Sequence, residues 1–171
     1  ECSQMERARH GHTATFVAPL GKVLLIGGLF WDGGEEKFVP REQAAEFFDP
    51  SSGKFEPVPG LPGDMLSLFE VAHHSATALP DGSVLVWGGI GRAGDGTRID
   101  MKGVSFVFHP LTNTFTRLTQ GTSQWASRFH HTATLTQSGT SVILVGGCGC
   151  TQGVSAADLK AGKCPRASDT C

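Results

Sequence analysis

The histidines and cysteines are the side chains of this 171-residue chain best suited to chemistry, and neither set is scattered. His10 and His12, His73 and His74, and His130 and His131 form three close groups. Imidazole is the commonest metal ligand and titrates near neutral pH, so these groups raise metal binding and acid–base catalysis together. Their spacing argues for a plainer role. His12, His74 and His131 lie 62 and 57 residues apart, and each opens the same short motif. A metal site rarely takes the same ligand from every copy of a repeat. We read them as signature residues that hydrogen-bond backbone between neighbouring units.

The five cysteines are Cys2, Cys148, Cys150, Cys164 and Cys171. An odd number leaves at least one free, bound to another chain or bound to a metal. No pair has the C-x2-C spacing of a zinc ribbon. Cys148 and Cys150 alternate across an extended segment, so a bridge between them would be strained. Each pairs more readily with Cys164, Cys171 or Cys2. The reading is a disulfide-ordered tail over 148–171, which favours the periplasm, the cell surface or the extracellular space.

Other chemistry finds little support. The chain has no tyrosine, which removes phenolate ligands and phenolic acid–base catalysis. No Gly-x-Ser-x-Gly elbow and no Gly-x-Gly-x-x-Gly phosphate loop occurs. The net charge of −2 provides no global basic field for a nucleic acid. No run of 18 apolar residues would cross a membrane as a helix, and no signal peptide is visible at Glu1-Cys2. No catalytic residue, metal or cofactor is predicted.

The elements that carry the histidines repeat. His12-Thr-Ala-Thr leads to Val23-Leu-Leu-Ile-Gly27-Gly28. His74-Ser-Ala-Thr leads to Val84-Leu-Val-Trp-Gly88-Gly89, and His131-Thr-Ala-Thr to Val142-Ile-Leu-Val-Gly146-Gly147. Further on, Phe47-Phe48-Asp49-Pro50 and Phe55 match Val107-Phe108-His109-Pro110 and Phe115, with both aromatic pairs 60 residues apart. Short β-forming runs bounded by Gly and Pro turns predict strands near 13–18, 22–26, 43–48 and 54–58. One repeat is therefore four short antiparallel strands, and such a sheet hides both faces only by stacking on similar sheets.

This pattern resembles the kelch repeat, in which each unit is one blade of a β-propeller. The resemblance covers residues 9–147. Phe48 and Phe108 stand where that family often has Tyr, and Phe55 and Phe115 where it often has Trp. It implies an all-β chain: an extension over 1–8, repeats at 9–62 and 71–120, the inner half of a third at 127–147, and the Cys-rich tail. Propellers typically close with about four to eight blades, so two and a half units imply a piece of a larger ring, completed by further blades, another chain or a second copy.

In kelch propellers the loops after Gly-Gly, here 29–42 and 90–103, share a face with the inter-repeat loops. Trp31, Arg92, Arg98, Trp125 and Arg128 are the candidate partner anchors there, since exposed Trp and Arg dominate interfaces. Trp87 lies inside a strand and is read as core. The expected function is a non-enzymatic protein-binding or structural module of a secreted or cell-surface bacterial assembly. The alternatives are a fragment of a propeller enzyme resembling carbohydrate oxidases, with its catalytic residues elsewhere, and a carbohydrate-binding propeller that uses the tryptophans as sugar platforms.

Overall fold

The computed structural model describes residues 4–40, 43–61, 69–92, 99–101, 105–118 and 128–149. These residues are organised as antiparallel β-sheets, with a 3-10 turn at Ala18–Leu20. The first sheet is antiparallel in the order β1 (Thr13–Val17), β2 (Lys22–Ile26), β5 (Ala45–Asp49), β6 (Lys54–Pro57). Threonine, valine, isoleucine and phenylalanine supply the β-branched and aromatic side chains that fit a pleated surface. Asp49 accepts from the Ser51 N–H at 2.8 Å, an Asx turn that folds the β5–β6 connection. The Ser51 hydroxyl, which donates to the same oxygen at 2.6 Å, and the Ser51 N–H hold the Asp49 carboxyl pKa down to about 2.

The second sheet repeats the first with β8 (Ser75–Ala78), β9 (Val84–Trp87), β12 (Ser105–His109) and β13 (Thr114–Arg117). The third has two described strands, β14 (Phe129–Leu135) and β15 (Val142–Cys148). Register is preserved throughout: Ala14 faces Leu25, Ala76 faces Val86, and Ala133 faces Leu144. Phe48 sits between Val23 and Phe55 as Phe108 sits between Val84 and Phe115. A one-residue slip would move every side chain to the wrong face, so shared register means shared faces.

The main core lies between the first two sheets. Leu24, Ile26, Phe47 and Val58 meet Val84, Val86, Phe106, Phe108 and Phe115 in one buried cluster. Phe47 and Phe108 stack with centroids 5.9 Å apart, and Phe69 packs edge-on against Phe115 at 5.0 Å.

The segments expected to be long loops after Gly-Gly are strands in part. β3 (Leu29–Asp32) and β4 (Glu35–Phe38) form a hairpin turned by Gly33-Gly34, both at positive φ. β10 (Ile90–Arg92) pairs with β11 (Ile99–Met101) and with β7 (Val71–Ala72). Leu29, Phe38, Ala72, Ile90 and Phe129 bury one another in a second cluster. Alternation there is broken by glycines, which is why the pattern read as loop. Trp87 departs from its reading as core: it is half-buried, with its indole N–H enclosed and unbonded among the described residues.

Candidate functional site

Strands β1, β8 and β14 lie side by side, and the signature histidines join them. His74 Nε2 and Thr13 Oγ1 are hydrogen-bonded at 2.8 Å, and His131 Nε2 meets Ser75 Oγ at the same distance. The partners are side-chain hydroxyls of the preceding sheet, not the backbone groups expected from sequence. Backbone bonds run beside them: His73 N–H donates to Gly11 O at 2.8 Å and His130 N–H to His73 O at 3.0 Å. His73 and His130 adopt positive φ and stack their rings 4.1 Å apart. Non-glycine residues held there cost about 1–3 kcal/mol unless the surroundings determine them.

This ladder is dry. Burial pushes His74 down to about 3, helped by His73, His12 and His131. His131 is lowered by burial and then by Arg128, and His12 by burial and then by Arg9 and His10. The Nδ1 atoms of all three are buried with no hydrogen bond among the described residues. A neutral, enclosed imidazole joined only to a hydroxyl builds structure. Among the described residues, no three His, Cys, Asp or Glu side chains are grouped to hold a metal.

What distinguishes the surface is where this stacking stops. Leu24 and Ile26 are each 1% exposed beneath the second sheet, whereas Ile143 and Val145, at the same register positions in the third, are 54% and 60% exposed. A Cβ at Gly27 would meet Val71 O at 2.0 Å and one at Gly88 would meet Arg128 O at 2.3 Å, so the next sheet demands glycine there. The same test at Gly146 meets nothing within 4 Å among the described residues. Thr132, the counterpart of Thr13 and Ser75, is exposed beside it. The opposite end of the stack presents Phe16, 55% exposed, with half-buried Val23, Phe48 and Phe55. Apolar surface at both ends of a stack marks interaction faces.

The predicted anchors fall in different places. Trp31 stands on the β3–β4 hairpin opposite Glu36, 64% exposed, with the Lys37–Asp32 ion pair at 2.8 Å nearby. Arg92 ends β10 opposite Ile99. Arg98 and Trp125 lie outside the described residues, as do Cys2, Cys150, Cys164 and Cys171. Arg128 is half-buried at the start of the third unit, its Nη1 donating to Gly146 O at 3.1 Å and its carbonyl accepting from Gly89 N–H at 2.8 Å. It braces sheets as well as bordering the loops. The structure therefore does not bring the five together.

Sequence reasoning missed a buried ion pair. Arg9 Nη2 meets Glu46 Oε2 at 2.8 Å, with side chains 0% and 3% exposed. Arg9 also donates to Gly27 O and Gln43 O, and Glu46 Oε1 accepts from Glu6 N–H. Burial lowers the Arg9 guanidinium, opposed by Glu46 and Glu6. In the second unit these two positions hold Val71 and Phe106, both fully buried. Two charges of opposite sign replacing two apolar residues at matched repeat positions was the available signal. No protein-family model and no curated protein matches this chain.

Proposed function

We propose that this chain is a non-enzymatic protein-binding or structural module: kelch-like blades forming one part of a larger propeller outside the cell or on its surface. The observation that carries this reading is that the faces buried inside the stack recur, in the same register, on its two exposed ends. Interactions of that kind are head-to-tail, and they close into rings or propagate. The His–hydroxyl bonds and the apolar rows extend naturally to a further sheet beyond Ile143 and Val145. The extracellular assignment draws on the cysteine clustering and on Cys148, whose thiol is disulfide-bonded. Native mass spectrometry of unreduced material tests the proposal. The expected species exceeds 18.0 kDa and falls to 18.0 kDa when Ile143 and Val145 are both replaced by Glu. A wild-type chain that persists as an 18.0 kDa monomer at every concentration overturns it.

One observation favours a second reading, carbohydrate binding: Trp31 is a flat, exposed ring on a short hairpin, flanked by Asp32 and Lys37. Stacking of a sugar on that ring would appear as quenched tryptophan fluorescence that Trp31→Ala abolishes.

A further inference from the structure

The residue before each signature histidine is Gly11, His73 or His130, and all three take the same left-handed backbone, with φ of 65°, 58° and 55°. They form one column along the inner edge of the stack, because the His73 N–H donates to Gly11 O and the His130 N–H to His73 O. Glycine suits that backbone, and the first unit uses it. The second and third units hold imidazoles there instead. The two rings lie 4.1 Å apart, and His130 is also 5.1 Å from the ring of Phe129, which is buried with Leu29, Phe38 and Ile90. The second sheet is thus joined to the third through side chains that the local backbone disfavours. Residues held in such a backbone cluster at switch regions and ligand clamps. Both rings are within reach of water, since His130 is exposed and His73 half-buried.

The pair is set among basic groups. The inner edge is made by segments 9–12, 70–74 and 128–131. Beside the pair they carry Arg9, His10, His12, His74, Arg128 and His131, against one carboxylate, Glu70. Arg9 is already matched by Glu46. The turns pressed against the signature histidines are Gly27-Gly28, Gly88-Gly89 and Gly147, which bring no charge. His74 stays neutral in mild acid, because burial holds it down to about 3. Imidazole ordinarily gains its proton near a pH of about 6.5. One proton on the pair leaves a neutral ring for the other to stack on. A second sets two like charges 4.1 Å apart beside a single carboxylate, and they repel. The two inter-sheet contacts differ in their exposure to this repulsion. The first has glycine at position 11 and an outer edge packed with Phe47, Phe106, Phe108 and Phe115. The second has the ring pair, and among the described residues its outer edge is a cleft of about 610 Å3 between Leu85 and Val107 on one side and Leu135 and Val142 on the other.

We propose that the His73–His130 pair is a proton-operated latch between the second and third sheets. Neutral rings stack and hold the third unit in place; two protons taken from solvent drive the rings apart and loosen that contact, leaving the contact between the first and second sheets closed. Opening bares the side of the second sheet that carries Leu85 and Trp87. Trp87 stands at the register position of Ile26, which is 1% exposed beneath the second sheet.

Amide exchange of the full chain tests the latch at matched positions. The His130 and Gly89 N–H groups donate across the second contact, to His73 O and Arg128 O; the His73 and Gly28 N–H groups donate across the first, to Gly11 O and Val71 O. Between about pH 7.5 and about pH 5.5, and after correction for the intrinsic effect of pH on exchange, protection of His130 and Gly89 should fall at least about tenfold further than that of His73 and Gly28. Tryptophan emission should shift to longer wavelength over the same range, and Trp87→Phe should remove the shift. His130→Gly keeps the backbone that Gly11 shows to be sound and removes one ring, so the two contacts should then fall together. His73→Gly should behave alike. Should a glycine variant unfold, His130→Asn carries the same expectation, because asparagine also tolerates left-handed backbone. Equal falls at the two contacts in the wild-type chain overturn the latch and assign the response to the buried histidines. An excess fall at the second contact that survives in His130→Gly or His130→Asn overturns it as well. All four amides report on contacts within one chain, so the outcome is independent of whether further sheets stack on its ends.

Discussion

The contact between the first and second sheets and the contact between the second and third start alike and end differently. Each is stitched at its inner edge by one His–hydroxyl bond of 2.8 Å and by a glycine lying under the next sheet. At the outer edge the first is packed with Phe47, Phe106, Phe108 and Phe115, while the second opens into a cleft of about 610 Å3. The inner stitch needs only two strands per unit, and the motif that makes it is local. The outer packing needs four strands from each unit. Stacking order and stacking strength are therefore separable in this molecule: the histidine ladder sets the first and the aromatic layer supplies most of the second.

The largest test of that separation is truncation on the two sides. Phe108→Ala, at a fully buried site, should cost about 3–5 kcal/mol by denaturant unfolding. Leu135→Ala, at the cleft wall, should cost under about 1 kcal/mol, because its half-exposed site has little packing to lose. Equal losses would show that the cleft is closed in solution.

The next concerns the two solutions found at one pair of positions. Arg9→Val alone leaves Glu46 buried without its cation and should cost about 3 kcal/mol. Adding Glu46→Phe recreates the Val71–Phe106 pairing of the second unit and should restore most of that loss. A double mutant no better than the single would mean that the surrounding backbone is built for the ions.

The histidine ladder predicts acid sensitivity. The unfolded chain takes up a proton on His74 near 6.5, whereas the folded chain does so only near 3. The unfolded state therefore binds more protons between those values, so stability is complete above about 6.5 and falls as pH drops. The slope approaches about 1.4 kcal/mol per pH unit below about 6. His74→Gln should flatten the curve measured by thermal unfolding from pH 7 to pH 4. His131→Gln should flatten it less, because His131 is the less enclosed of the two.

The smallest effect comes from filling the cleft from within. Leu135 occupies the place of Phe16, so Leu135→Phe fits the strand and should add about 0.5–1 kcal/mol.

Much of the fold was legible because it is written in repeats. The strands read at 22–26 and 54–58 match β2 and β6 closely, since an apolar run between turn residues needs only its neighbours to declare itself. The hairpin at Leu29–Phe38 was read as loop because its glycines interrupt the alternation that marks a strand. Of the candidate site, the histidines were placed correctly and their partners were not. Thr13 lies 61 residues from His74, and no local pattern encodes that distance. Among the five loop candidates, Trp31 was found exposed as expected, whereas Arg128 turned out to bond Gly146 O.

By itself the sequence determined the repeat, its period and its strand alternation, because periodic burial is a property of neighbours along the chain. Tertiary structure alone decided which faces are covered. It drew Arg9 and Glu46 together inside a dry site, filled one inter-sheet gap with phenylalanine and left Ile143 and Val145 uncovered. Burial is the removal of water by atoms distant in the chain, and that depends on how the sheets stack.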